Sequence, residues 1–273
     1  GSEIVGLVPL EAILMAAAYY IEKENLFILD EDQKVRLAVE RLGLNSVARF
    51  NPEEKIIEYR VAEPPNEPLA GMTLRAFVEE VGARTTAPGG GSVSAAMAAM
   101  GAGLGAMAAK LTFGVRKFED LDAQMRAIIP ILHETSKELI PMIDADTSAF
   151  AEFMDGLRMP RNTPEEKAAR KEKMQAGLKT AVNVPLSTMR LGDRVWRAMA
   201  DAARYGNIAC KSDIEVGARA LETGIWGAGR NVHINAVDIE DAEFRESALA
   251  EAERLMSRAR EKCAEVLTLL DGR

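Results

Sequence analysis

The sequence predicts a mainly α-helical protein, a helical bundle preceded by a small α/β segment. Hydrophobic residues make up 48% of the chain and aromatic residues only 5%. Alanine, leucine, valine, isoleucine and methionine must therefore fill most of the core, which favours packed helices over a β-sandwich. Apolar residues also recur at helical spacing almost everywhere after Thr73. Residues 1–62 differ from the rest because two stretches there have strand composition.

The first 62 residues are predicted to form a small βααβ unit. Residues 2–8 and 55–61 are the two strand-like stretches. Pro9 stands at a first-turn position before the first helix, and a second amphipathic helix covers residues 30–42. Two strands and two short helices bury too little apolar surface to form a stable unit by themselves.

A proline-rich linker over residues 63–68 separates this unit from residues 69–273. Three prolines fall within residues 62–68, a composition typical of an extended connection. After the linker, Thr73 is a natural cap for the next helix. We expect further helices over the following ranges: 92–113, 120–132 with Pro130 bending or ending it, 135–154 with a break near Pro141, 165–181, 185–205, 212–225 and 241–270.

Charge and residue counts exclude several functions. The net charge of −8 argues against nonspecific nucleic-acid binding. Cys210 and Cys263, with the lone histidines His133 and His233, have no spacing typical of a zinc site. We interpret both histidines as structural. Without a disulfide framework or a visible secretory signal, we expect a cytoplasmic protein.

The stretch APGGGSVSA at residues 87–95 opens a run without charge that reaches Ala109. The run is long enough to span a bilayer, but most of its residues are alanine and glycine, which gain little from lipid. We therefore expect a helix packed on all sides, with Gly101 and Gly105 allowing close neighbours. Ser92 is a natural N-cap. The glycines before it serve either a tight turn or a ligand at the helix start.

A carboxylate interrupts the apolar stripe of the segment LIPMIDADTSAFAEFM at residues 139–154. Asp146 fills the gap in that stripe, whereas Asp144 lies on another face and should be more exposed. An inward carboxylate must be paired or neutral, and burial raises its pKa towards the range useful for proton transfer. The pattern alone leaves two interpretations open: a proton-transfer group, or a structural aspartate satisfied by a backbone N–H or an arginine.

Two further polar clusters are candidates for a binding pocket. GNIACKSD at residues 206–213 contains Asn207 and Lys211, and Lys211 is either a pocket residue or a solvated surface lysine. Asn231 and Asn235 follow a glycine-rich run at a spacing that can place both amides on one helix face.

Together these motifs resemble one enzyme family. APGGGSVSA, the DAD at 144–146, RNTPEEK at 161–167, VPL at 184–186, GNIACKSD and the NVHIN at 231–235 resemble the cyclodeaminase domain of formiminotransferase-cyclodeaminase. The resemblance covers about residues 69–273. Methenyltetrahydrofolate cyclohydrolases belong to the same family.

Residues 1–62 resemble the C-terminal end of the formiminotransferase half of that enzyme, through GSEIVGLVPLEA, EKENLF and IIEY. Most of that half, including the histidine that the family uses for formimino transfer, has no counterpart here. We therefore expect no formiminotransferase activity.

The resemblance implies a helical bundle of the cyclodeaminase type and a folate reaction. N10 of 5-formiminotetrahydrofolate attacks the formimino carbon, ammonia leaves, and 5,10-methenyltetrahydrofolate forms. The family assigns the base and acid role to the second aspartate of DAD, which is Asp146 here. Lys211 would orient Asp146 or stabilise developing charge. No metal and no cofactor beyond tetrahydrofolate, the substrate carrier, is implied.

The folate, with or without a polyglutamate tail, would contact a set of residues offering backbone or side-chain hydrogen bonds: Gly89, Gly90, Gly91, Ser92, Asp144, Asn207, Asn231 and Asn235. We expect Asn207 and Asn235 at the pterin edge. The alternatives are a methenyltetrahydrofolate cyclohydrolase and a non-catalytic helical oligomerisation module. We expect a homodimer or larger homo-oligomer, with neither nucleic acid nor membrane as a partner.

Overall fold

The computed structural model describes residues 2–63 and 66–273. The chain divides into two compact units, Gly1–Asn66 and Glu67–Arg273. Most described residues are helical, so the predicted mainly α class is confirmed. The described residues of the first unit form four helices: α1 (Leu10–Lys23), α2 (Glu31–Arg41), α3 (Pro52–Lys55) and α4 (Ile57–Val61). Its core includes Ile13, Ala17 and Val35 from α1 and α2, together with Ile56.

The two strands predicted in the first unit are wrong. Among its described residues, the extended pairing reduces to one parallel bridge between Val8 and Ile56. Residues 57–61 are helical instead. Asn51 caps α3 with its side chain, and this short helix leads directly into the region expected to be a strand. The two stretches have the apolar, branched side chains that are common in strands. A strand also needs a neighbouring strand to accept and donate its backbone hydrogen bonds.

The second unit is a helical bundle. Its helices are α5 (Leu74–Val81), α6 (Gly90–Lys110), α7 (Asp122–Leu139), α8 (Pro141–Arg158), α9 (Pro164–Arg194), α10 (Trp196–Tyr205), α11 (Lys211–Ala236) and α12 (Ala242–Asp271). Short 3-10 turns at Arg116–Leu121 and Ile208–Cys210 precede α7 and α11.

Several predicted helix limits are confirmed, and others are longer than expected. Thr73 caps α5 by accepting a hydrogen bond from Ala76 N at 3.2 Å, and the chain breaks at Pro141 as predicted. However, α7 continues through Pro130, and α9 is one helix through Pro185 where we expected two. Tertiary packing therefore carries both helices across residues that a single-sequence pattern treats as stops.

The glycine-rich helix α6 packs closely against α11. A Cβ added to Gly101 would lie 2.7 Å from Gly217 O, and one added to Gly224 would lie 2.6 Å from Ser94 O. Small residues therefore let the two backbones approach, as predicted. The helix is not packed on all sides, because Met100 on its outer face is 54% exposed.

Within the described residues, α6 is the one helix that is long and apolar enough to cross a membrane. More than half of its most apolar window is buried in the protein. A core helix passes the same length and composition test, so this observation is weak evidence for a span.

Candidate active site

Asp146 lies on α8 and reaches the first turn of α6. Its Oδ2 accepts a hydrogen bond from Ser92 N at 3.1 Å. Ser92 is the third residue of α6, whose N-cap is Gly89. The first N–H groups of a helix have no partner within the helix and carry partial positive charge. Asp146 therefore caps α6 from a neighbouring helix.

Ser92 does not act as the N-cap that we predicted. The helix begins two residues earlier, at Gly90, and Ser92 is fully buried. Its hydroxyl donates a 2.7 Å hydrogen bond to Ile143 O and lies 3.3 Å from Thr147 Oγ1. The side chain thus connects α6 to α8 beside the carboxylate.

Gly91 leaves room for this carboxylate. A Cβ at this position would fall within the van der Waals distance of three Asp146 atoms, and the most distant of them, Oδ2, would be only 2.5 Å away. The carboxylate therefore lies directly against the backbone of α6. At this position, glycine is required by a close approach and not by its conformational freedom.

Burial raises the pKa of Asp146 above that of an ordinary aspartate. The backbone N–H and hydroxyl of Ser92 oppose this change, and the desolvation is the larger effect. A carboxyl group with a raised pKa can accept and return a proton closer to neutral pH. Asp146 therefore has an environment suited to acid–base chemistry.

A cavity of about 170 Å³ opens beside Asp146. It is lined by Thr86, Ala87, Gly89, Gly90, Gly91, Asp146, Thr147, Phe150, Ala181, Asn231 and Asn235. Its polar side chains are one carboxylate, two amides and two hydroxyls, and these lining residues include no cation. Pockets that enclose a whole small molecule usually measure about 300–1,000 Å³. The cavity therefore suits the reacting end of a larger ligand.

Asn231 and Asn235 extend into this site from one face of α11. Asn231 Nδ2 donates to Gly227 O at 3.0 Å, and Asn235 Nδ2 donates to Ala181 O at 2.7 Å. The structure thus brings both predicted amides together with Asp146 and with Gly89, Gly90 and Gly91.

Asp144 has the opposite burial from the one we predicted. It is the more buried carboxylate, with 6% exposure, and it does not line the cavity. Its two oxygens accept hydrogen bonds from Leu69 N at 2.7 Å and Ala70 N at 3.0 Å. The turn before α5 covers this face of α8 and presents free N–H groups to it. Asp144 therefore holds that turn in place.

Lys211 and Asn207 lie outside the cavity within this chain. Lys211 begins α11, 20 residues before Asn231, which corresponds to roughly 30 Å of helix. Its Nζ lies 4.0 Å from Asp271 Oδ1. The Asn207 side chain accepts from Ala209 N at 3.0 Å. Neither residue orients Asp146 in one copy, because their motif marks the opposite end of α11.

The two histidines are also outside the cavity. Lys110 Nζ lies 3.0 Å from His133 Nδ1. His233 Nε2 lies 2.9 Å from a Glu253 carboxylate oxygen. Among residues 2–63 and 66–273, no cluster of three or more His, Cys, Asp or Glu residues is arranged to hold a metal.

Sequence reasoning missed Thr86, Thr147 and Ala181 as lining residues. Thr147 directly follows Asp146, but a threonine at that position does not by itself indicate a cavity-lining residue. Ala181 had one available signal, because it lies four residues before Pro185 inside a helix. A proline there frees the carbonyl of the residue four positions earlier.

Comparisons with known proteins agree with this architecture. Residues 73–254 match the family model described as formiminotransferase-cyclodeaminase, and residues 1–62 match the formiminotransferase domain. A formimidoyltransferase-cyclodeaminase of Dictyostelium discoideum is 54% identical over 275 residues, covering 100% of this chain and 50% of that protein. The chain spans about half the length of the curated relatives of this kind that it matches.

Two shorter proteins each match about 70% of the chain. A methenyltetrahydrofolate cyclohydrolase of Methylorubrum extorquens is 35% identical over 187 residues, covering 68% of this chain and 90% of that protein. The crystal structure of formiminotetrahydrofolate cyclodeaminase from Thermotoga maritima superposes with a TM-score of 0.65 at 26% identity. It covers 74% of this chain and 97% of that one.

Proposed function

Because the chain belongs to the formiminotransferase-cyclodeaminase family, we propose that it converts 5-formiminotetrahydrofolate to 5,10-methenyltetrahydrofolate and ammonia. The observation that carries this proposal is the Asp146 carboxylate, which is desolvated, held by Ser92 N–H and exposed to a cavity lined by amides. The reaction needs one group that first accepts and then returns a proton, and Asp146 has that character.

In the proposed mechanism, the formimino nitrogen is protonated, N10 attacks the formimino carbon, and a C–N10 bond forms. Asp146 accepts the proton from N10 and returns it to the former formimino nitrogen. That nitrogen leaves as neutral ammonia when its bond to carbon breaks. The positive charge of the protonated substrate remains on the methenyl product, so charge and protons balance. One C–N bond forms, another breaks and protons move, so the oxidation state of the carbon is unchanged and the proposal includes no redox cofactor.

The electrostatics of the cavity support this assignment. The reacting carbon is cationic in substrate and product, and the lining residues of the cavity include a carboxylate but no lysine or arginine. A preorganised charge of opposite sign stabilises such a centre most effectively where water is excluded. The small cavity would hold the formimino end, while the remainder of the folate, with any polyglutamate tail, lies outside it.

Asp146→Asn tests the proposal directly. Methenyltetrahydrofolate is followed by absorbance and ammonia is assayed in parallel, with far-UV circular dichroism as the folding control. We expect equimolar products from the unmodified chain and a loss of at least about 10²-fold in kcat for the variant. Turnover by a folded variant at the unmodified rate would remove Asp146 from the mechanism.

Methenyltetrahydrofolate cyclohydrolase is the second candidate, favoured by the Methylorubrum relative. Water would replace N10 as the nucleophile, and the same carboxylate would accept its proton. Hydrolysis of methenyltetrahydrofolate without ammonia release from the formimino substrate would identify this activity. A non-catalytic oligomerisation module would show neither reaction.

We also propose that copies of this chain associate through the outer face of α6. We call this face the outer ridge, and it consists of partly exposed apolar residues: Val93, Met97, Met100, Leu104, Met107 and Leu111. The ridge is about 27 Å long at ~1.5 Å per residue. It has no charge of its own, so a second copy can pack against it without opposing like charges.

Light scattering after size-exclusion chromatography tests the association. We expect Met100→Glu to shift the molar mass towards the monomer. Met15→Glu is a matched control, because Met15 is similarly exposed but lies on α1. A monomeric unmodified chain, or an unchanged mass for Met100→Glu, would contradict the role of the ridge.

A further inference from the structure

Pro185 creates an unusual acceptor inside α9. It lies well inside a helix of 31 residues, and proline has no N–H to donate to the carbonyl four residues earlier. That carbonyl belongs to Ala181, which lines the cavity. The amide of Asn235 replaces the missing donor, with Nδ2 at 2.7 Å from Ala181 O. Pro185 and Asn235 are therefore complementary parts of one hydrogen bond.

This bond determines how the Asn235 amide is oriented. A carbonyl oxygen only accepts, so the amide must present nitrogen to it, and the flipped amide would bring two oxygens together. The same reasoning applies to Asn231, whose Nδ2 donates to Gly227 O at 3.0 Å. In each amide, the oxygen and the second N–H remain for a ligand, and the oxygen is the acceptor that an N–H donor requires. Across the described part of the chain, neither Oδ1 receives a hydrogen bond.

We propose that Asn231 Oδ1, Asn235 Oδ1 and the Asp146 carboxylate form a subsite for the formimino nitrogen. This inference rests on the proposed cyclodeaminase function. The protonated formimino group carries two N–H donors and a positive charge, and three oxygen acceptors with one negative charge complement it. Pro185 is a positioning residue in this arrangement, because it frees the carbonyl that orients Asn235.

The subsite also distinguishes the two candidate reactions. In methenyltetrahydrofolate, N5 and N10 are fully substituted, so the reacting end of that folate offers no N–H group to the two amide oxygens. Polar groups left without partners disfavour a ligand that lacks the matching donors. Asn231 and Asn235 therefore favour deamination over hydrolysis.

The formamidinium ion is the test probe, because it contains the same N–C–N cation and is not consumed. Its dissociation constant is measured by calorimetry on the full chain and by competition with substrate. We expect Asn235→Ala to weaken binding about tenfold, the loss of one charge-assisted hydrogen bond. We expect Pro185→Ala to weaken it severalfold, because the backbone N–H gained by this substitution would bond to Ala181 O and release the amide. Both variants should also lower the ratio of deamination to hydrolysis.

Pro130→Ala is the matched control, since Pro130 also lies inside a helix but does not line the cavity. It should leave formamidinium binding unchanged. No binding by the unmodified chain, or unweakened affinity in both the Asn235→Ala and Pro185→Ala variants, would overturn the subsite. Binding that depends on Asn235 in a chain without turnover would reject the proposed reaction and retain the subsite. Turnover by a chain whose formamidinium binding does not depend on Asn235 would retain the proposed reaction and reject the subsite.

Discussion

Replacing Gly91 with alanine tests whether the contact between α6 and the carboxylate controls catalysis. The added Cβ would lie 2.5 Å from Asp146 Oδ2 and closer still to Oδ1 and Cγ, whereas ordinary contact begins near 3.4 Å. The carboxylate must therefore move by about 1 Å or more, and its hydrogen bond to Ser92 N must lengthen. A displacement of roughly 1 Å costs on the order of 10²-fold in rate.

The assay is formation of methenyltetrahydrofolate with ammonia measured in parallel. We expect kcat of Gly91→Ala to fall about 10²-fold with a smaller change in KM, since the rest of the folate contacts other residues. Gly103→Ala is the control in the same helix, because a Cβ there meets nothing within 4 Å. A Gly91→Ala protein that is folded and as active as the Gly103→Ala protein would show that the contact between Gly91 and Asp146 does not control catalysis.

Three further predictions concern charged groups. Because the folded pKa of Asp146 is raised, its ionised form destabilises the native state, and this cost is present above the folded pKa and disappears as the pH falls through it. Asp146→Asn should therefore melt higher than the unmodified chain near pH 8, with the difference closing towards pH 4, and kcat/KM should decline on the acidic side at a pH above that of an ordinary aspartate. A melting difference that grows on acidification would contradict the sign. Asp144→Ala should cost about 2 kcal/mol in denaturant unfolding, because Leu69 N and Ala70 N lose their acceptor; unchanged stability would exclude the tether. Lys211→Ala should change stability by less than about 0.5 kcal/mol and kcat by less than about twofold, since its ion pair is long and exposed; a large kcat loss would restore Lys211 to the reaction through a neighbouring copy.

The helical class and most helix positions could be predicted from local signals. Thr73 as a cap, the break at Pro141 and the close packing of Gly101 follow from residue type and spacing. Local signals could not establish whether residues 2–8 and 55–61 form strands. An extended segment becomes a strand only when a partner strand lies beside it, and a single chain segment does not reveal that partner.

Asp146 was predictable as an unusual carboxylate, and Asn231 with Asn235 as a pair on one helix face. The burial of Asp144 was not, because it depends on a turn 74 residues away that supplies two N–H groups. Lys211 was predicted as a site residue from its motif alone, and in the structure the length of α11 separates it from Asp146.

The helical architecture, the unusual carboxylate and the glycine-rich helix start can be predicted from the amino-acid sequence, because they depend on period, composition and caps within short windows. Which polar groups contact one another is known only from the three-dimensional packing of the helices. The contact of Gly91 with Asp146 and the bond from Asn235 to Ala181 join residues more than 50 positions apart. Such pairings depend on how the helices cross, and helix crossings are set by packing that no local pattern encodes.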